Sequence, residues 1–97
     1  MSFALAYMDK ALGDLREIRA HLSRFYPQTA ARFLDALEKK TATLADAPYA
    51  FPEYEHRPAY RKLVVSEYVL LYKVDDEHQI VAIHRILHGA RNIRKHL

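Results

Sequence analysis

The order of patterns along the chain predicts an α+β fold, β-α-α-β-β-β, with an antiparallel sheet packed against a helical hairpin. Three observations carry this expectation. A run of period two opens the sequence, and two stretches with apolar residues three and four apart follow, divided by Tyr26-Pro27. From Tyr60 onward, three strand-like runs are joined by connections too short for a parallel crossover, which needs about a dozen residues.

The elements follow in order. Phe3, Leu5 and Tyr7 alternate with Ala4 and Ala6, placing the larger side chains on one face of a short strand. Asp9 is expected to cap the next helix, because its carboxylate can accept orphan N–H groups of the first turn. Leu12, Leu15, Ile18, Leu22 and Phe25 form that helix's apolar stripe. Proline disfavours helical geometry in the residue before it and suits the first turn of a new helix, so Tyr26-Pro27 ends one helix and begins another. In the second helix Ala30, Phe33, Leu34, Leu37, Thr41 and Leu44 share a face. Residues 45–60 contain three prolines and no clean period, and read as an irregular connection rich in aromatics. YRKLVV, YVLLYKV and QIVAIHRIL then form strands, with turns at Ser66-Glu67 and around Asp75 to His78. In the last strand, strict alternation predicts Val81, Ile83, Arg85 and Leu87 on one face, with Ile80, Ala82, His84, Ile86 and His88 on the other. Gly89 is expected to let the chain turn, and Ala90 to Leu97 to form a short basic C-terminal helix.

A length of 97 residues fits one domain, 1–97, which at this size buries roughly two-thirds of its unfolded surface. The chain has 51% hydrophobic residues, only two glycines and four prolines, a composition that folds rather than remaining disordered. Without cysteine, disulfides and thiolate metal sites are excluded, and a reducing cytoplasm is the expected setting. Asp9 and Lys10 break the N-terminal apolar run before it reaches signal-peptide length, and no uncharged stretch approaches the roughly 18 residues of a membrane span. No membrane association, metal or cofactor is expected.

A net charge of +3 is too small to imply a nucleic-acid partner by itself, so the placement of charge matters more. The stretch "IHRILHGARNIRKHL", residues 83–97, carries Arg85, Arg91, Arg94, Lys95 and three histidines without a carboxylate. With Arg61 and Lys62, these residues are expected to gather as a cationic patch at one end of the sheet. Arginine's planar fork suits a carboxylate or a phosphate, so residue type alone leaves both targets open. His84 and His88 are four apart, a spacing that on a strand does not build a helical metal pair, although either can serve as an acid or base. Glu53, Glu55 and Glu67 are candidate carboxylate bases that the sequence does not pair with His88. The tyrosines from Tyr49 to Tyr72 can stack on bases if exposed, but alternating strand aromatics more often fill cores. There is no phosphate-cradling glycine loop or nucleophile elbow.

Taken together, "DKALGDLREIRAHL", "YPQTAARFLDAL", "LADAPYAFPEY", "YRKLVVSEYVLLYKVDD" and "VAIHRILHGARNI" resemble the RelE/ParE superfamily of small bacterial toxins over nearly the whole chain. The resemblance implies a type II toxin neutralised by a cognate antitoxin encoded beside it. A toxin–antitoxin hetero-oligomer is one expected assembly, and a homodimer is the other, since apolar surface awaiting the antitoxin can make the isolated toxin self-associate. RelE-like members are ribosome-dependent nucleases that cut mRNA, whereas ParE-like members bind DNA gyrase. Nuclease members often place a basic residue where this chain has Val69, and a tyrosine near the C-terminus, where residues 73–97 contain none. "RILHGARNI" is similar to the ParE side. On that branch Arg61, Arg85, His88 and Arg91 are expected to contact target or antitoxin, with Arg94 and Lys95 adding steering. On the nuclease branch Arg61, Arg85 and Arg91 would hold phosphate and His88 would act as general acid. A member that has lost toxicity but keeps its antitoxin is a third reading.

Overall fold

The structure, a computed structural model, describes residues 2–90 and 93–96. Its elements are β1 (Ala4–Tyr7), α1 (Asp9–Phe25), α2 (Pro27–Asp46), β2 (Glu53–Tyr54), β3 (Arg57–Val65), β4 (Tyr68–Asp75), β5 (Ile80–His88) and a 3₁₀ turn, Ile93–His96. The expected α+β order is present. Residues 45–60 contribute more than a connection, supplying the short β2 and the first residues of β3. No described helix is long and apolar enough to cross a membrane.

The five strands lie in the order β1-β5-β4-β3-β2. Those joined by short turns pair antiparallel, as expected, but β1 lies parallel to β5, with Ala4 opposite Ile80 and Tyr7 opposite Ile83. The sheet is therefore mixed. Parallel pairing requires a long return path, and the two helices and three strands between β1 and β5 provide it.

Tyr26 leaves helical geometry at φ −144° and ψ 65°, and Pro27 occupies the first turn of α2, so the hairpin turns at the expected dipeptide. Asp9 does not cap α1. Met8 holds the N-cap position without a side-chain bond, and Asp9 lies in the first turn, where its charge still complements the helix dipole. The buried stripe of α1 is also rotated from the expected one. Ala11, Asp14, Ile18 and Leu22 are buried, whereas Leu12 and Phe25 are exposed.

These residues join Ala30, Phe33, Leu37 and Leu44 of α2 against Leu63, Val65, Leu70, Tyr72, Val81, Ile83 and Ile86 on one sheet face. Strict alternation would put Ile83 and Ile86 on opposite faces. They share one because the β4–β5 register shifts: Leu71 faces Arg85 while Tyr72 faces Ile83, leaving His84 as an extra residue. The alternation predicted for β5 is correct only as far as this bulge.

β1 ends at Tyr7, where the Met8 amide bonds the Ile83 carbonyl, so the rest of that edge of β5 lacks a strand partner. Asp14 covers it. Its carboxylate accepts the Ile86 amide at 2.9 Å and the Arg85 guanidinium bidentately, from Nε at 2.7 Å and Nη2 at 2.8 Å. At the opposite edge Lys40 of α2 donates to the outward Val64 carbonyl at 2.7 Å. Charged side chains from both helices thus cover sheet edges that would otherwise be open to strand addition.

Replacing Asp14 with Ala leaves an amide and a largely buried guanidinium without this acceptor. The expected loss of stability is about 3 kcal/mol by denaturant unfolding. Arg85→Lys should not restore the bidentate geometry, and wild-type stability in Asp14→Ala would remove this carboxylate from the account of the fold.

Candidate functional site

The residues expected to form one cationic patch occupy different places. Arg61 opposes Tyr72 on β4. Its Nη1 donates to the Phe51 carbonyl at 2.7 Å, and its guanidinium lies 4.8 Å from the Tyr49 ring centroid. Tyr49 in turn donates its hydroxyl to Asp76. Beside them Tyr72, whose pKa burial pushes up to about 12, donates to the Pro48 carbonyl at 2.8 Å. Arg61 and Tyr72 therefore fasten the 47–52 connection to the sheet. Arg85 is held by Asp14, and that hydrogen bond is the main cause that raises its pKa.

His88 opposes Tyr68, four positions along β4 from the partner of Arg61, a separation of about 13 Å along the strand. Its Nδ1 accepts the Ala90 amide at 3.1 Å, which leaves Nε2 to carry the proton of the neutral ring, and Nε2 lies 3.5 Å from Glu67. The sequence could not pair a carboxylate with His88. The hairpin at Ser66-Glu67 does so, with Ser66 taking a left-handed φ of 56° and the Glu67 carbonyl accepting the Gly89 amide at 2.8 Å. Gly89 has no positive φ. Its missing Cβ instead permits close passage, since a Cβ there would stand 3.4 Å from the Glu67 carbonyl. His88 also meets the Tyr68 ring edge-on at 5.4 Å.

A cleft of about 430 Å³ opens between this corner and the hairpin tip, its lining including Leu22, Tyr26 and Tyr68 together with the polar His21, Glu67 and His88. The Arg91 expectation lies outside the described residues, as does the side chain of Arg94. Lys95 is exposed on the 3₁₀ turn. The expected terminal helix is thus a 3₁₀ turn over the described residues, and Ile93 packs against Tyr54, Val69 and Leu71 on the face away from the helices.

That outer face carries a second group that sequence reading did not assemble. The Lys73 ammonium sits 4.6 Å from the Tyr60 ring centroid, and Tyr60 meets His84 edge-on at 5.2 Å. Burial, then the charge of Lys73, lowers the pKa of His84. Tyr60 precedes Arg61 on β3 and so falls opposite Lys73, which faces Ala82, and His84, two residues beyond Ala82, shares that face. Among the described residues, no three His, Asp or Glu side chains cluster closely enough to hold a metal ion.

The family model described as the ParE toxin of the type II toxin–antitoxin system, parDE, matches residues 5–93. The chain belongs to the ParE toxin family. A search of curated protein sequences finds no match. Among solved structures, this ParE-family toxin is similar to the chromosomal ParDE TA system from P. aeruginosa, with a TM-score of 0.74 and 19% identity over 90% of this chain and 96% of that one. It is similar to the isolated E. coli RelE toxin, with a TM-score of 0.68 and 19% identity over 98% and 94% of the two chains. The toxin–antitoxin complex RelBE2 from Mycobacterium tuberculosis gives 0.66 and 23% over 91% and 99%. At these identities the likeness is one of fold.

In this ParE-family toxin His84 should titrate below the ordinary histidine value when followed by NMR. Lys73→Met should raise its midpoint while leaving it depressed, because burial is the larger cause. With the folded pKa depressed, the unfolded chain binds the proton first. The contribution of His84 to stability is therefore complete above about pH 6.5 and is lost as pH falls through the folded value. An unchanged midpoint in Lys73→Met would remove Lys73 as a cause.

Proposed function

We propose that this toxin arrests growth by binding DNA gyrase in the cytoplasm, without breaking a bond itself, and that a cognate antitoxin encoded beside it neutralises it. The observation that carries this reading is that Arg61 and Arg85, the described arginines of the expected set, are engaged by acceptors within the fold. A phosphate-cutting site needs guanidinium groups and an acid converging on one position, because catalysis here is positioning and charge stabilisation. Arg85 is held by Asp14 and Arg61 by the Phe51 carbonyl, and His88 stands well away along the sheet from Arg61. Membership of the ParE family supports the same branch. Binding to gyrase requires a complementary surface, not a converged catalytic set, and damage follows when the trapped enzyme leaves its DNA cleaved.

The similar RelBE chains come from complexes with an antitoxin, which supports the same kind of partner here. His88, Arg91, Arg94 and Lys95 are the groups we assign to target or antitoxin contact. Arg61 and Arg85 hold these contacts in place through the fold. A second reading, ribosome-dependent cleavage of mRNA, is favoured by one observation, the His88–Glu67 pair, whose 3.5 Å separation allows a histidine acid backed by a carboxylate.

Purified toxin should inhibit gyrase supercoiling and leave gyrase-dependent DNA breaks, while mRNA on translating ribosomes stays intact. RNA cuts with normal gyrase activity, abolished by His88→Ala, would establish the nuclease instead. Reversing Arg91 and Arg94 to Glu should lower antitoxin affinity about tenfold, as exposed pairs contribute about 0.2–1 kcal/mol each, and should flatten its dependence on salt. Unchanged affinity and salt dependence would take the tail out of the interface.

A further inference from the structure

The hairpin tip presents an apolar projection and a cavity side by side. Phe25 and Tyr26, adjacent at the turn between α1 and α2, are 57% and 56% exposed. Beside them opens the cleft of about 430 Å³, lined by Leu22, Tyr26 and Tyr68 and by the polar His21, Glu67 and His88. The fold does not use the Phe25 projection, and of the cleft lining the contacts proposed above use only His88. An apolar cavity of about 150 Å³ holds a benzene ring, so this cleft has room for a phenyl side chain and part of a second ring.

We propose that the free toxin forms a two-fold symmetric dimer in which Phe25 of each copy enters the cleft of the other. Knob and hole on one patch are what an isologous interface requires, since a two-fold axis brings each onto its counterpart. The charges agree with that pairing. Arg24, next to Phe25, is exposed, and Glu67 on the far side of the cleft has a side chain 79% exposed, so each Arg24 meets the other copy's Glu67. Only aromatics are buried in quantity. Covering the exposed parts of four rings and the walls they meet removes on the order of 800–1,000 Å², at the low edge of specific interfaces. The dimer is accordingly weak and dependent on concentration.

Sedimentation velocity of the purified full chain, without antitoxin or gyrase, tests this independently of the target. The weight-average mass should rise from monomer towards dimer between low and high micromolar concentration. Phe25→Asp, at an exposed position, should stay monomeric throughout while keeping the wild-type circular dichroism spectrum. Arg24→Glu and Glu67→Arg should each weaken the dimer, and the double variant should restore it. A wild-type chain that stays monomeric, or a dimer indifferent to Phe25→Asp, overturns the proposal. Failure of the double variant to rescue overturns the two-fold arrangement.

Discussion

The three bonds made by Asp14 are the constraint on which the rest of the sheet depends. β1 is only four residues long and covers β5 no further than Ile83, so β5 continues as an edge with its own amides exposed. A buried carboxylate that accepts one of those amides and a bidentate arginine closes the edge. It also fixes the rotation of α1. Asp14 must face inward, which sets Ala11, Ile18 and Leu22 on the core side and leaves Leu12 and Phe25 outside. The extra residue at His84 lies directly before this anchor and lets Ile83 and Ile86 both face the helices. Helix rotation, edge protection and bulge are thus one solution.

This solution divides the cations of the chain by role. Arg85 and Arg61 act inside the fold, one closing an edge and the other holding the 47–52 connection. Both are the residue type expected at a phosphate, and both use the same property, a planar array of donors that can satisfy oxygen acceptors in fixed geometry. Lys73 and Lys95 lie on the outer face or the terminal turn, where a flexible ammonium adds field and little geometry. Arg61 and Arg85 are thus committed to contacts within the fold, whereas Lys95 stays at the surface.

The order of elements was legible because each depended on local chemistry. Proline after Tyr26 ended a helix, and two-residue spacing with short turns made strands from Tyr60 onward. The parallel placement of β1 was not, because four residues of alternating pattern carry no information about which strand they join. Asp14 was hidden for a related reason. A carboxylate within an amphipathic helix reads as solvent-facing unless the strand edge that needs it is known. The bulge at His84 carries no local signal either, since neither His nor Arg marks a register shift as glycine often does. One such shift reverses the faces of every residue after it, and so misplaced Ile86.

The corner at His88 shows why residue type alone did not decide between binding and cleavage. His88 and Glu67 meet because a two-residue turn places Glu67 at the strand end, where the Gly89 backbone returns against it. The same contact suits an acid for RNA cleavage or a polar boundary for a protein interface. What separates these roles is the company of the pair. Histidine beside carboxylate becomes a phosphodiester acid when fixed cations hold the phosphate on the other side. The described guanidinium groups expected to do so are turned towards a carbonyl and a carboxylate of their own chain. Besides Glu67, His88 has aromatic neighbours: Tyr68 against its ring and Tyr26 in the lining of the same cleft. The cleft lining is aromatic and polar in like measure, Tyr26 and Tyr68 beside His21, Glu67 and His88, so it offers a stacking surface and hydrogen-bonding groups together, and the docking role proposed for this corner rests on that mixture.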